Sequence, residues 1–279
     1  MRLVKQLVCV AVVAFGGSLA VGAVNWSAPL TLLLGFATAV LTLLVYAWIV
    51  RRTEKRAPVE VERRGAGGAL GWGMLIGFGL FTAVIANIAV LGDYRVDGWG
   101  SLSGAVVLLG LTAAAAVTEE VLFRGVLFRI VEGWLGTWWA LALTGVLFGA
   151  SHLLNPHASL WGAFAIAVEA GGMLAAAYAA TRTLWLPVGL HFAWNFAEGG
   201  LFGTDVSGTN QPQGLLHGVM SGSTWITGGD FGPEGSLYSV LAGIIVTTVF
   251  LILARRRGNL VPGRRHRAAG IDGAARLAQ

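Results

Sequence analysis

Charge is scarce in this sequence. Of its 279 residues only 12% are Asp, Glu, Lys or Arg, while 56% are hydrophobic. Soluble domains carry about 25% charged residues, so the composition excludes an ordinary soluble protein and implies a polytopic membrane protein. Cysteine is nearly absent: the one thiol, Cys9, lies in the first apolar segment and rules out an intrachain disulfide. Neither HExxH nor GxSxG occurs, which argues against zincin-like and α/β-hydrolase chemistry. No internal repeat and no separate soluble domain is visible. Lysine is rare too, with 2 residues beside 17 arginines, a bias that suggests a GC-rich bacterial genome.

What is abundant fits a lipid environment. The 11 Trp suit interfacial belts, and the 41 Gly let membrane helices approach closely. Eight apolar segments reach spanning length, at 7–24, 30–50, 69–91, 102–123, 134–154, 160–180, 184–202 and 237–254. The expected fold is an all-α, polytopic membrane helical bundle of about eight transmembrane helices. Residues 1–258 form its single membrane-embedded domain, and 259–279 form a basic, disordered cytoplasmic tail. The first segment is read as a retained span, although Arg2 and Lys5 ahead of it and Val21-Gly22-Ala23 behind it also suit a cleaved signal peptide.

Placing both termini in the cytoplasm puts 18 of the 19 basic residues inside and leaves Arg95 outside, with Asp93, Asp97, Asp205, Asp230 and Glu234. The expected location is therefore a bacterial plasma membrane with cytoplasmic termini. The net charge of +5 lies beside spans, so membrane lipids are the expected partner and nucleic acid is not. The stretch 51–67 reads as a charged, solvated linker. The stretch 203–236, Gly-rich and uncharged over much of its length, reads as an ordered or re-entrant outer cap.

The chemistry concentrates in three spans. Glu119 and Glu120 lie inside LTAAAAVTEEVLFRGVLF, where an intramembrane carboxylate costs about 3 kcal/mol on insertion scales. Glu120 and Arg124 are four apart with the acid first, the favourable order for a helical ion pair. That pairing leaves Glu119 as the acid without a partner and the candidate general base. Phe148 and His152 share one helix face, and so do His191 and Asn195. Counted from the cytoplasmic ends of their spans at 1.5 Å per residue, Glu119, His152 and His191 lie roughly 15, 21 and 10 Å deep, compatible with one cavity. Glu169 is read as an interhelical hydrogen-bonder and Glu198 as a supporting or interfacial group. His157 and His217 are read as solvated loop residues. Ser151 has no nucleophile-elbow context.

The chain here resembles the CAAX protease and bacteriocin-processing (CPBP, or Abi) family of intramembrane endopeptidases, which includes the type II CAAX prenyl proteases. The resemblance rests on EExxxR at Glu119-Glu120-Val121-Leu122-Phe123-Arg124, FxxxH at Phe148 to His152, and HxxxN at His191 to Asn195, in family order. The matched core is about 102–202. It implies that Glu119 is the general base, with His152 its partner in activating a water. It implies that His191 and Asn195 donate to the oxyanion, while Glu120 and Arg124 orient the site. The implied substrate is a membrane-embedded or lipidated protein or peptide. No cofactor is expected, although zinc held by Glu119, His152 and His191 is the open alternative. The competing function class is non-proteolytic: a membrane scaffold, an immunity protein or a proton-coupled transporter.

Overall fold

The computed structural model describes residues 1–263. Helix starts follow local chemistry. Ser101, Ser159 and Ser236 each cap a helix by accepting the backbone N–H three residues on, satisfying a donor that the first turn leaves unpaired. Stops are equally local. Lys55 and Arg182 take left-handed conformations at helix ends, and Gly136, at φ 89°, breaks the chain between two long helices.

The order is α1 (Arg2–Ala23), α2 (Ala28–Glu54), α3 (Ala66–Val90), strand β1 (Tyr94–Trp99), α4 (Leu102–Leu135), α5 (Thr137–Leu154), α6 (Leu160–Thr181), α7 (185–201), strand β2 (Leu216–Met220) and α8 (Leu237–Arg256). Seven of these helices are long and apolar enough to cross a membrane. The chain is thus an all-α, polytopic integral membrane bundle. The expected span 184–202 falls short of that measure, because α7 has only eleven α-helical and six π-helical residues. Most of α7 is buried inside the bundle, packed against α3, α4 and α6.

Small residues set the packing. A Cβ on Gly73 or Gly77 of α3 would run into the Leu186 or Leu190 carbonyl of α7, and one on Gly189 would run into that of Leu70. Gly35 of α2 and Gly110 of α4 meet in the same way. Backbones this close gain dispersion contacts that larger side chains would prevent.

The loops divide between two faces. On one, Arg129 bonds Glu54 at 2.8 Å and Gln6 at 2.8 Å, and Arg182 pairs with Glu132 at 2.5 Å. The 51–67 stretch is mostly exposed, as expected, but it is anchored rather than free: Glu60 is buried, pairs with Arg56 at 2.7 Å and accepts the Leu184 N–H through its carbonyl. The predicted free tail is docked at its start. Thr137 and Val261 exchange hydrogen bonds, and Arg182 donates to the Asn259 carbonyl. The remainder of that expected tail, 264–279, lies outside the described residues. On the opposite face, β1 pairs antiparallel with β2, Tyr94 opposite Met220, and 203–236 is folded into a cap.

Helix α4 extends well past its expected end at residue 123. At 1.5 Å per residue its 34 residues span about 50 Å, more than the roughly 30 Å hydrocarbon layer. Its Val121–Phe128 stretch is π-helical, as are Ala167–Gly172 of α6 and Phe196–Leu201 of α7. Such widened turns are rare and concentrate at functional sites.

Candidate active site

Two adjacent acids end the regular part of α4 and diverge, because successive residues on a helix do not share a face. Glu120 is fully buried. Its Oε1 receives Arg124 Nη1 at 2.7 Å and lies 3.0 Å from His191 Nδ1. The ion pair read from the spacing is therefore formed. Arg124 also donates from Nη2 to the Ala170 carbonyl at 3.0 Å and stacks its guanidinium 4.6 Å above the Phe148 ring. One arginine thereby ties α4 to α5 and α6. Glu119 turns the other way. Its side chain is 33% exposed, its Oε2 has no hydrogen-bond partner, and the nearest ring nitrogen is His191 Nε2 at 3.9 Å.

His152 sits in the last turn of α5. Its Nδ1 lies 2.8 Å from the Phe148 carbonyl. A carbonyl only accepts, so Nδ1 carries the proton and Nε2 of the neutral ring keeps a free lone pair. Phe148 is the common packing plate: its ring contacts those of Phe123, His152 and His191, besides Arg124. A benzene ring at that position fixes both imidazoles and the guanidinium without competing for their hydrogen bonds. His191 is almost wholly buried behind Glu119, and Asn195 lies one turn further along α7, partly exposed.

Glu119, His152 and Asn195 line one cavity of about 180 Å³. His191 stands behind its wall, bonded to Glu120. Among the described residues no three His, Cys, Asp or Glu side chains are placed to hold a metal ion.

The remaining candidates fall elsewhere. Glu169 and Glu198 are fully buried but do not line the cavity. Glu169 makes none of the interhelical hydrogen bonds expected of it, and Glu198 is not interfacial but lies against Glu234 of the cap. His157 bonds Asn210 at 2.9 Å on the surface, and His217 is exposed, though in β2 rather than in a loop.

The sequence reading missed the cavity's roof. Besides Ala115 and Ser151, the lining includes Asn155, Val206, Ser207, Thr209 and Gln211. The roof is fixed by Asn155 Nδ2 donating to the Ser207 carbonyl at 2.7 Å, by the Gly208 N–H donating to Phe231 at 2.7 Å, and by Ser207 Oγ donating to Glu234 at 2.5 Å. Ser207 adopts φ 51° there, and non-glycine residues in that region cluster at functional sites. Only the unusual run of uncharged polar residues over 207–213 pointed to it.

No curated protein and no solved structure matches the chain. A family model described as type II CAAX prenyl endopeptidase Rce1-like matches residues 101–197. That stretch begins at the Ser101 cap of α4, ends just past Asn195, and holds the EExxxR, FxxxH and HxxxN motifs whole. Over residues 101–197, about a third of its length, the chain is similar to the Rce1-like CAAX-type membrane endopeptidases.

Proposed function

We propose that the protein hydrolyses a peptide bond in a membrane-embedded or lipidated protein or peptide, using a water activated between Glu119 and His152. One observation carries this reading. Glu119, His152 and Asn195 come from separate helices yet border a single cavity, where the Glu119 side chain remains one-third exposed. Two acceptors, the exposed side of the Glu119 carboxylate and His152 Nε2, can each take a hydrogen bond from one water. That aims the lone pair of its oxygen at a substrate carbonyl, and Glu119 removes the proton as the C–O bond forms. No covalent acyl-enzyme is required, in keeping with the absence of a nucleophile elbow.

The Asn195 amide is the donor that borders the cavity, and it stabilises the oxyanion of the tetrahedral intermediate. His191 holds both acids in register. Because its Nδ1–H is directed at Glu120, it donates through Nε2 to the oxyanion only when the ring carries two protons. Collapse of the intermediate then moves the proton from Glu119 to the leaving amine. Glu120, Arg124 and Phe148 take no proton in this scheme and act by positioning.

The family description names a CAAX prenyl endopeptidase. For this chain the substrate class is drawn more broadly, as a chain segment anchored in or on the bilayer. The cytoplasmic termini and a bacterial plasma membrane belong to the same proposal, supported by the one-sided placement of the basic residues. The test is quantitative proteomics of host membranes carrying wild-type protein, Glu119→Gln or no protein. A precursor that accumulates equally in the last two supports the peptidase. Full processing by Glu119→Gln at normal abundance rejects it.

A further inference from the structure

Beside the catalytic cavity, on the same face, the cap contains a second and larger cleft of about 560 Å³. Gln211 lines both. The two spaces are therefore neighbours across one side chain, and a substrate that reaches Glu119 from the cap side passes Gln211. Its Nε2 donates to Thr209 Oγ1 at 2.9 Å, which leaves the amide oxygen and one N–H free to meet a passing backbone.

The walls of this cleft suit a peptide better than an acyl chain. They consist mainly of hydroxyl, amide, carboxylate and backbone groups, including Asp205, Gln213, Ser221 and Asp230. Strand β2 pairs with β1 alone, and its residues Gly218 to Met220 form one side. An extended chain can lie along a strand of this kind, gaining main-chain hydrogen bonds.

Charge adds a preference. Asp205 and Asp230 border the cleft, no Lys or Arg does, and neither acid forms an ion pair among the described residues. On this face the one basic residue read from the topology, Arg95, is held by Asp97 at 3.2 Å. Burial pushes the Asp205 carboxyl up, His157 opposes the rise and Asp230 adds to it, so the two acids act on one another across a shared space.

We propose that this cleft is a substrate subsite that receives an extended peptide segment bearing a basic side chain, on the cap side of the scissile bond. The proposal rests on the peptidase reading and deepens it by naming what is recognised beyond the reacting bond. The substrate's anchored part stays among the helices while its polar part runs past Gln211 and along β2.

The test is equilibrium binding of two fluorescein-labelled peptides, Gly-Ser-Gln-Lys-Gln-Ser-Gly and the same sequence with Glu for Lys, to the full chain in lipid nanodiscs. Binding is read on wild-type protein and on Glu119→Gln. Two exposed acids acting on a reversed charge predict about a tenfold preference for the Lys peptide at low ionic strength, shrinking as salt is added. Asp205→Asn with Asp230→Asn should reduce the preference to less than about twofold. A second readout needs no change to the acids. In a Cys9→Ser background, Ser221→Cys should react with a membrane-impermeant maleimide, and the Lys peptide should slow that reaction. Equal affinity for the two peptides, a preference that survives removal of both acids, or unprotected labelling would each overturn the subsite. These readouts do not require cleavage, so a failed subsite and a failed peptidase give different results.

Discussion

Arg124 is the residue whose loss should be most visible in stability. It is 1% exposed, bonded to Glu120 at 2.7 Å and to the Ala170 carbonyl at 3.0 Å, and stacked on Phe148. Replacing it by Gln removes the cation and leaves Glu120, which is fully buried, with His191 as its remaining partner. Removing one member of a buried ion pair costs about 3–5 kcal/mol, mostly because a charge is left uncompensated. The lost stacking adds up to about 2 kcal/mol where the ring site is desolvated. These terms overlap, so the expected loss is about 3–5 kcal/mol, near 10 °C in melting temperature for a chain of this size. Arg124→Lys keeps the charge but not the planar fork that reaches Glu120 and Ala170 together, and should fall between. The informative variant is double. Arg124→Met with Glu120→Gln removes both charges and should recover most of the loss, since paired buried charges are often replaceable together. Purified variants can be compared by thermal unfolding followed through emission of the 11 Trp. A single Arg124→Gln variant that melts within a degree of wild type would refute this reasoning. So would a double variant no more stable than the single one.

The remaining expectations are brief. Asn195→Ala should keep its melting temperature and lose about 10²–10³ in rate, as removal of one oxyanion donor does elsewhere; an unchanged rate would take Asn195 out of the chemistry. Strong chelation should leave processing intact and purified enzyme should hold well under one zinc per chain. Activity lost to a chelator and restored by zinc or cobalt would replace the water-activation scheme with a metal-dependent one. A reporter fused after Arg257 should read cytoplasmic and one inserted at Ser221 external, and the reverse pattern would move the cavity's mouth to the other side of the membrane.

The parts of the fold legible in the sequence are those governed by local physics. Apolar length marks the spans, the serine caps mark several starts, and i,i+4 spacing foretells the Glu120–Arg124 pair. What escaped reading depends on partners distant in the chain. The 51–67 stretch looks solvated because nothing local reveals that Leu184 will donate to Glu60. An ordered cap is expected, but not what orders it, which is Gly208 bonding Phe231 and Ser207 bonding Glu234. Helix α7 reads as one more span because hydropathy cannot distinguish a helix that faces lipid from one buried among other helices. The π-helical turns leave no periodic signal, and only the Gly-Gly pairs at 171–172 and 199–200 lie within two of them.

The site itself divides along the same line, and the division explains why two acids stand side by side. A single glutamate could not both anchor Arg124 and face the cavity, because the anchor holds the carboxylate fully buried. Two in succession solve this through helix geometry alone. The second points inward to an arginine one turn on and to His191, and the first is rotated toward the cavity, one-third exposed, though its Oε2 is buried without a partner. Buried polar atoms without partners cost about 1–3 kcal/mol each. The stabilisation by Arg124 offsets that cost within the same turn of helix. The motif therefore specifies an available carboxylate beside an ion-paired one. Which wall the available one faces is set by α5, α7 and the cap, and that is the part no spacing rule could supply.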